Sequence, residues 1–406
     1  MTASATPTAP HRLLIANLLA QLAFGLLAMT ICLPSMQEWG AIFGSSQAAV
    51  QLTFSGYVVT YGSLQLVYGP LSDRLGRKRI LMIGLVIAFA GSVMAVFAPD
   101  LPTLVLARLL QGAGSAACMV IGRALVQDLF AGPERTRVMA YVGMAMGLCP
   151  PLATIIGGQL HVRLGWQSNF VVMAVLAVLL FIAAWRGLPE HQSGTGVQPH
   201  WLKAMLSSYA QLAREPSFGL HVLLLAMISA TFYAFLGGAP IVLGSYGVGP
   251  DGIGFYIMAI PGSYIVGNYL TMHLSHRISE RRIMRLGQAL TVGGVALMLL
   301  LALAGLNNPL AFALPLVLLG IGHGLLVPPA LAGTVGLLPA LAGSAAAVAG
   351  LSQQLMGAVG GFAVGLFHHE GAVNLGWLML GLALCGAAAQ WRLHRGQQPP
   401  PPQRLG

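Results

Sequence analysis

Arg108 places a permanent charge inside an otherwise apolar stretch, "LVLARLLQGAGSAAC", residues 104–118. Gln111 follows it by three positions, so on a helix the Gln111 carbonyl oxygen lies on the same face and can accept a hydrogen bond from the guanidinium. An arginine at the centre of a bilayer costs roughly 2.5–3.5 kcal/mol on insertion scales, so it needs acceptors or a wet cavity. Thr30 and backbone carbonyls near the prolines of the fifth apolar stretch are further candidate acceptors. A positively charged cavity would attract an anionic or zwitterionic group.

His323 is the second titratable side chain expected at depth, in "LLGIGHGLLVPPA", where Gly322 and Gly324 flank it. Histidine changes its charge near neutral pH and is therefore suited to carrying a coupling proton. The glycines also allow a neighbouring helix to pack closely, in which case His323 is a hydrogen-bonded packing residue. The sequence leaves both interpretations open.

Tyrosines and amides supply the remaining candidate contacts with a bound molecule. Tyr57 and Tyr61 are four positions apart and therefore share a helical face. Tyr233, Gln353 and Gln354 lie in other apolar stretches. Rings and amides together suit flat or amphipathic organic molecules, including cations held over the rings. For each single aromatic residue, packing against lipid or another helix is the alternative.

Composition places these residues in a membrane. Of 406 residues, 56% are hydrophobic and 7% are charged, and the mean hydropathy is +0.78, which excludes a water-soluble domain. Stretches of roughly 20 apolar residues, the length needed to cross a bilayer core of about 30 Å, recur along the whole chain. We predict twelve helical spans, near residues 13–35, 48–72, 79–98, 102–127, 138–160, 167–186, 218–240, 252–274, 284–305, 310–333, 341–367 and 372–391.

The basic residues predict the orientation of the spans. Except for Arg108, Arg123 and Arg163, the twenty Lys and Arg residues lie on one side if the N-terminus is cytoplasmic. Because Lys and Arg collect in cytoplasmic loops, we expect both termini in the cytoplasm of a bacterial inner membrane. The net charge of +10 follows from this asymmetry and is no argument for nucleic-acid binding.

A long polar break after the sixth span divides the chain into two halves. The predicted organisation is a cytoplasmic tail, a six-helix bundle, a linker with an amphipathic helix, a second six-helix bundle and a Pro-rich cytoplasmic tail, at residues 1–12, 13–186, 187–217, 218–391 and 392–406. The four cysteines show no CxxC or Cys/His spacing, so we expect no disulfide framework, no metal site and no cofactor.

The two halves share a faint internal repeat. "LSDRLGRKR" follows the second span and "LSHRISERR" follows the eighth, with the Leu-Ser pair and two arginine positions in common. Two related halves joined by a long loop are typical of a transporter whose substrate site lies near the midplane.

The segment "GPLSDRLGRKR" resembles motif A of the major facilitator superfamily, the loop between the second and third helices. The matching positions are Gly69, Leu71, Asp73, Arg74, Gly76, Arg77 and Lys78. The resemblance implies an all-α membrane protein with twelve transmembrane helices in two pseudo-symmetric six-helix bundles. It also implies a conformational latch, because a carboxylate beside guanidinium groups at helix ends can form ion pairs in one conformation and release them in another. Asp128 is a candidate second carboxylate for Arg74 or Arg77.

Within that superfamily the chain resembles the bicyclomycin-resistance and chloramphenicol-exporter branch of the drug/proton antiporters. The resemblance rests on "QLVYGPLSDRLGRKR", "LARLLQGAGSAACMVIGRALVQDLF", "PPLATIIGGQL" and "PALAGSAAAVAGLSQQLMG". It implies that Arg108, in an R-x-x-Q-G motif, lies near a proton-handling site. It also implies that a motif of the fifth helix contains Pro150, Pro151, Gly157 and Gly158.

Two departures from the branch pattern bear on proton coupling. The branch carries an acidic residue in its first helix, as D-x-Y-L-P, where this chain reads "TICLP" from Thr30, and all ten acidic residues fall in loops or at helix ends. In the fifth helix Thr154 stands where a proline is expected before the glycine pair. Arg108 therefore lacks the carboxylate partner that the branch supplies.

The predicted function is that of a monomeric secondary transporter, not an enzyme, that exports small organic molecules by alternating access with proton coupling. A proton-independent exchanger or an importer of an anionic metabolite is the alternative that an unpaired Arg108 favours. A soft-metal transporter using Met and Cys residues of spans one, four and five is a further alternative. "FHHEG" is the densest cluster for a membrane enzyme, and a receptor with a transporter fold also stays open.

Overall fold

The computed structural model describes residues 9–189, 207, 210–337, 341–367 and 371–396. Within these ranges every regular element is a helix. The last helix extends to Gly396, into the predicted tail at residues 392–406. Outside the described residues lie most of the predicted amphipathic helix of the linker, residues 397–406 of the tail, and residues 368–370 of the "FHHEG" cluster.

The first bundle is built from long helices joined by short connections. Its elements are α1 (Ala9–Thr30), a 3₁₀ turn (Leu33–Ser35), α2 (Met36–Ile42), α3 (Gln47–Leu75), α4 (Arg77–Val96), α5 (Leu101–Leu129), α6 (Gly132–Leu164) and α7 (Gln167–Gly187).

The second bundle has the same kind of elements, with two of its spans broken. They are α8 (Pro216–Ser245), α9 (Pro250–Ile257), α10 (Ala259–Leu274), α11 (Glu280–Leu303), α12 (Pro309–Ala313), α13 (Leu316–Gly336), α14 (Ala342–Val364) and α15 (Ala372–Gly396).

Twelve membrane-length segments match the twelve predicted spans, which confirms the all-α fold. In the described part of the chain, nine helices are both long and apolar enough to cross a membrane. The other three segments are α3, α6 and the α9–α10 pair. Some boundaries differ from the predicted ones. α1 stops at Thr30 and not near residue 35, because Pro34 has no N–H to continue the helix. α6 begins at Gly132 and α8 ends at Ser245, beyond the predicted limits of 138 and 240.

Side-chain caps set where α3 and α5 begin. Ser46 accepts a hydrogen bond from the Ala49 N–H at 3.3 Å, and Asp100 accepts one from the Thr103 N–H at 2.9 Å. Thr103 donates hydrogen bonds to the Asp100 carboxylate from its side chain and from its backbone N–H. These bonds lower the pKa of the Asp100 carboxyl below its usual value, and the side-chain bond has the larger effect. The caps fix the helix register, and with it the depth at which Arg108 lies.

The two ends of the bundles are distinguished by their connections. We call the end with the α3–α4 turn at Gly76 the linker face, because α7 ends and α8 begins there as well. The opposite face carries α2, the α6–α7 turn and the α8–α9 connection.

Helix packing repeats between the bundles, which accounts for their pseudo-symmetry. In the first bundle α4 packs on α5 and α7, and α3 on α5; in the second, α11 packs on α13 and α15, and α10 on α13. Glycines allow the close approach in both: Gly84 of α4 meets Gly114 of α5, and Gly287 of α11 meets Gly322 of α13. The backbones approach closely because glycine has no Cβ.

Contacts between the bundles join α3 to α14 and α6 to α9. Gly158 of α6 lies so close to α9 that a Cβ would overlap the Pro250 carbonyl oxygen, and a Cβ on Gly254 would lie 2.6 Å from the Ile155 nitrogen. A Cβ on Gly365 would likewise lie 2.6 Å from the Cα of Ala48. These close approaches lie at the opposite-face ends of their helices.

Candidate functional site

Arg77 is the centre of the charged cluster at the linker face. Its Nη1 lies 2.6 Å from Asp73 Oδ1 and 2.8 Å from Ser72 Oγ, and its Nε lies 3.2 Å from Asp128 Oδ2. These partners come from the end of α3 and the end of α5, so the ion pairs bind the first bundle to itself. Asp128 is thus the second carboxylate of Arg77.

The remaining motif A residues shape the α3–α4 turn. Gly76 has a φ of 97°, a conformation that strains other residues, and it ends α3 and begins α4. Lys78 donates from Nζ to the Trp185 carbonyl oxygen at 2.7 Å, in the last turn of α7. At Gly69 a Cβ would lie 3.7 Å from Val120, so packing here does not require a glycine. The Arg74 side chain lies outside the described part of the structure.

Arg108 is fully buried in the first bundle and is surrounded by neutral acceptors. Its Nη1 donates to the Ala28 carbonyl oxygen at 2.8 Å and to Gln111 Oε1. Its Nε donates to the Thr53 carbonyl oxygen at 3.3 Å, and its Nη2 to that of Met29 at 3.4 Å. The guanidinium therefore joins α5 to α1 and α3.

The end of α1 stabilises the Arg108 charge with backbone carbonyls, whereas the drug/proton antiporter branch carries an acidic residue in its first helix. Ala28 and Met29 lie in the last turn of α1, where carbonyls have no partner within the helix and carry the negative end of the helix dipole. Thr30, a predicted acceptor, donates instead from Oγ1 to the Leu26 carbonyl oxygen at 2.8 Å. Of the two predicted surroundings, acceptors or a wet cavity, this conformation provides the acceptors, because Arg108 is 0% exposed.

The Tyr57 ring and a chain of two hydrogen bonds through Gln111 complete the surroundings of Arg108. Its guanidinium carbon lies 4.3 Å from the centroid of the Tyr57 ring, a cation–π distance. Gln111, which accepts from Arg108, also binds α4, because its Nε2 donates to Ser92 Oγ at 2.8 Å. Tyr57 is itself fully buried, and its hydroxyl donates to the Gly25 carbonyl oxygen at 2.7 Å. Four helices of one bundle thus meet around one charge.

The mid-depth contact between the bundles contains some of the predicted aromatic and amide residues. The Tyr233 hydroxyl of α8 donates to Gln354 Oε1 of α14 at 2.9 Å, and its ring lies edge-on to Phe54 of α3, with centroids 5.8 Å apart. A Cβ on Gly62 would overlap the Gln354 side chain. The first bundle thus contacts the second through Phe54 and Gly62.

The other predicted aromatic and amide residues lie apart from this contact or on its edge. Tyr61 stacks on Tyr57 with centroids 5.8 Å apart and is 2% exposed. Its hydroxyl has no hydrogen-bond partner in the described structure. Gln353, beside Gln354 on α14, is half-buried.

His323 lies within the second bundle and away from carboxylates of the described ranges. It is 3% exposed, and its Nε2 has no hydrogen-bond partner among the residues described. Its neighbours Gly322 and Gly324 pack on the backbones of α11 and α10 respectively. The structure therefore does not bring His323 and Arg108 together in one site.

Gly157 and Gly158, the glycine pair of the fifth span, contact different bundles. A Cβ on Gly157 would overlap the Ile31 carbonyl oxygen of its own bundle, whereas Gly158 meets Pro250 of the other bundle. Pro150 and Pro151 lie inside α6, which runs without a break. The backbone carbonyls described as accepting from Arg108 belong to α1 and α3, and not to the segment near these prolines. Thr154 Oγ1 donates to the Pro150 carbonyl oxygen, one turn earlier in the same helix.

A partly buried polar cluster near the opposite face was not predicted from the sequence. His161 of α6 is 9% exposed; its Nδ1 lies 2.9 Å from Ser35 Oγ and its Nε2 lies 3.0 Å from Glu38 Oε2. Asn169 donates from Nδ2 to the same Ser35 Oγ at 3.1 Å. Glu38 is distant from His161 in the sequence, and only the break after Thr30 brings it there.

Metal ligands are not grouped in the described ranges. No set of three or more His, Cys, Asp or Glu side chains there has the geometry to hold an ion. Cys32 and Cys118 are buried as free thiols, and Cys385 is exposed.

Comparisons with known proteins agree with this architecture. Residues 13–361 match the Major Facilitator Superfamily model. The chain is 27% identical over 391 residues to multidrug resistance protein D of Escherichia coli, covering 95% of this chain and 98% of that one. It is 26% identical over 383 residues to a chloramphenicol resistance protein of Pseudomonas aeruginosa, covering 91% and 90%.

Solved structures share the fold at low identity. A bacterial homologue of the human lysosomal transporter Spinster, in an inward-facing and occupied conformation, superposes with a TM-score of 0.75 at 14% identity, covering 96% of this chain and 98% of that one. A peptide transporter of the POT type, bound to alafosfalin, superposes with a TM-score of 0.74 at 15% identity, covering 97% and 96%. Together with the family match over most of its length, this shows that the chain belongs to the Major Facilitator Superfamily and is a multi-pass membrane transporter, not an enzyme.

Proposed function

We propose that this transporter exports small amphipathic organic molecules, drugs or the cell's own metabolites, by alternating access between its two bundles. The observation that carries the proposal is the close packing of the two bundles at the opposite face. Gly158 against Pro250 and Gly365 against Ala48 close the opposite face, while the described ion pairs of Arg77 stay within the first bundle. Bundles that pack closely at one face, while the described ion pairs of Arg77 at the other face stay within one bundle, fit a rocking transporter.

The orientation of the chain gives this conformation its direction. We place the linker face in the cytoplasm, because Lys and Arg concentrate there, so the conformation is closed to the outside. Ser45 is half-buried at the opposite face, and Ser275 is exposed at the linker face. In a background without the four native cysteines, an impermeant thiol reagent added to whole cells should label Ser45→Cys and spare Ser275→Cys. The reverse pattern would overturn the orientation.

The substrate class is supported by the relatives and by the mid-depth residues. Relatives that cover most of the chain are named for resistance to several drugs and to chloramphenicol. Tyr233, Phe54 and Gln354 meet where the bundles separate during rocking, and rings with amides suit flat organic molecules. The buried position of Arg108 removes the main argument for an importer of anionic metabolites, because that charge is already matched by carbonyls.

Proton coupling is the finer part of the proposal, and we assign it to His323. In the described structure Arg108 has no carboxylate partner, whereas His323 is a buried titratable side chain with an unpartnered ring nitrogen. A proton-independent exchanger is the alternative.

A resistance and uptake panel tests both parts of the proposal. Cells that lack their own pumps would express the protein and be challenged with chloramphenicol and with other flat cationic and neutral drugs. Lower accumulation that rises when the proton gradient is collapsed supports coupled export. Lower accumulation that survives collapse identifies the proton-independent exchanger, and unchanged accumulation across the panel contradicts export of drugs.

A further inference from the structure

A basic pocket of about 510 Å³ lies between α11 and α15, near the linker face. α11 packs on α13 and α15, and α15 packs on α8 and α11, so the pocket belongs to the second bundle alone. Trp391 and Leu384 at its edge are 55% and 50% exposed on the outer surface of the bundle. The pocket therefore opens toward the surrounding lipid and not toward the interface between the bundles.

The lining changes from charged to apolar with depth. Arg281 and Arg285 lie in the first turns of α11 at the linker face, and Val292 lies about 16 Å further along the helix axis. On α15 the order is reversed, from Leu384 at depth to Arg395 at the linker face. A molecule that fits this gradient has an anionic head and an apolar body in line.

The charges around the pocket are not neutralised by the protein. No carboxylate lines it, and Arg281, Arg285 and Arg395 make no ion pair in the described structure; Glu280 is the acidic residue that begins α11, outside the lining. Arg281 Nη2 is held by the His394 carbonyl oxygen at 2.8 Å, and the Arg395 guanidinium lies 3.7 Å from the Trp391 ring centroid. The guanidinium groups of Arg281 and Arg395 are thus held in place without a carboxylate partner in the described structure.

Buried polar atoms in the same pocket also lack partners. Gln390 is 3% exposed. Within the described ranges, neither its Nε2 nor Arg281 Nε has a hydrogen-bond partner. Gln288 is 8% exposed; its Nε2 donates to the Ala383 carbonyl oxygen at 2.9 Å, but its Oε1 accepts nothing there. A ligand that satisfies all three atoms offers acceptor oxygens to Gln390 and Arg281 and a hydroxyl to Gln288.

We propose that the α11–α15 pocket binds the head group of an anionic glycerophospholipid, with its phosphodiester among Arg281, Arg285, Arg395 and Gln390 and a head-group hydroxyl at Gln288. Basic pockets between membrane helices, at the level of the head groups, are suited to such lipids. Phosphatidylglycerol meets each requirement, whereas the ammonium of phosphatidylethanolamine would lie among guanidinium groups. The lipid acts as a bound structural partner of the second bundle and is distinct from the transported molecule.

The test measures lipid affinity on the full-length protein. Purified protein in detergent would be titrated with phosphatidylglycerol and with phosphatidylethanolamine, and bound lipid counted by native mass spectrometry. We expect retention of phosphatidylglycerol and about fivefold weaker binding for each of Arg285→Gln and Arg395→Gln, with Gln390→Met also weaker. Arg282→Gln is the matched control, because Arg282 neighbours Arg281 on α11 but is exposed and outside the lining.

A stability measurement separates loss of the site from loss of the fold. In phosphatidylcholine nanodiscs all four variants should keep the unfolding temperature of the parent, because Arg285 and Arg395 are exposed and Gln390 Nε2 makes no bond to lose in the described structure. Phosphatidylglycerol should raise that temperature for the parent and for Arg282→Gln, but not for the Arg285→Gln, Arg395→Gln double variant.

Two results would overturn the proposal. One is equal affinity for phosphatidylglycerol in the parent and the double variant. The other is an equal rise in unfolding temperature with inorganic phosphate or glycerol 1-phosphate in place of lipid, which would identify a site for a free anion.

Discussion

The Arg108 guanidinium is hydrogen-bonded to the Ala28 carbonyl oxygen at 2.8 Å, so the charge of α5 is held by the end of α1 and not by a carboxylate. In this conformation the contact makes Arg108 a brace of the first bundle. A brace and a substrate ligand respond differently to substitution.

We predict that Arg108→Ala and Arg108→Lys lose folded protein, the alanine variant more. Each carbonyl left unpaired costs about 1–3 kcal/mol, and an ammonium cannot replace the planar fork that reaches Ala28, Met29 and Thr53. Unfolding temperature and yield should fall, while transport per folded molecule changes less. Normal folding with lost substrate binding would instead make Arg108 a ligand.

Thr30→Asp tests whether the missing helix-one acid can be restored. Thr30 is fully buried and adjacent to Met29, whose carbonyl already accepts from Arg108, so a carboxylate there should pair with the guanidinium. We expect transport to depend more strongly on the proton gradient. Thr30→Asn, of the same shape without the charge, is the control. Equal gradient dependence in the Asp and Asn variants would show that the acid does not couple.

Asp73→Asn should remove the ion pair between Asp73 and Arg77, and with it the latch, while leaving the protein folded. The Asp73 side chain is 44% exposed, so its pair with Arg77 contributes only about 0–1 kcal/mol to stability. We expect transport to fall several-fold with unchanged unfolding temperature. Asp128→Asn, which removes the other carboxylate of Arg77, should have a smaller effect because Asp73 keeps the shorter contact. Full turnover in Asp73→Asn would exclude a latch role.

Gly158→Ala should hinder closure of the opposite face, because the added Cβ overlaps the Pro250 carbonyl oxygen of the other bundle. Thiol accessibility at Ser45→Cys should rise, while the fold of each bundle is kept. Gly157→Ala, which overlaps Ile31 within the first bundle, should lower the unfolding temperature instead, and Gly219→Ala, which has open space, should change neither. Identical behaviour of the Gly157 and Gly158 variants would contradict this division of roles.

His323→Gln keeps hydrogen-bonding capacity but removes the titratable ring. If His323 carries the coupling proton, the pH profile of transport should flatten and drug accumulation should no longer respond to the gradient. Thr291→Val, at a buried position of the same bundle, serves as a control for general damage to packing. An unchanged pH profile would assign transport to the proton-independent mechanism.

Several features could be predicted from local sequence patterns. Apolar runs long enough to cross a bilayer identify the spans, and the glycine at residue 76 with its neighbouring charges identifies the α3–α4 turn, since φ of 97° favours glycine. The spacing of Arg108 and Gln111 also predicted their hydrogen bond, because residues three apart on a helix are neighbours.

Other features of the site have no local signature. The carbonyls of Ala28, Met29 and Thr53 that hold Arg108 are backbone atoms, which any residue type supplies. Which glycine of the pair at 157 and 158 faces the other bundle depends on the rotation of α6 within its bundle. The Glu38–His161 contact depends on the break after Thr30, which redirects the chain.

The sequence by itself determined the membrane setting, the helix count and the charged turn, because each depends on composition or on spacing within one helix. Only the tertiary structure decided that Arg108 is a buried brace, that Tyr57 lies beneath it, and that the bundles close at the face opposite the linker. The physical reason is that burial and pairing are properties of neighbouring helices: whether a charge meets water or a carbonyl is set by the helix packed against it.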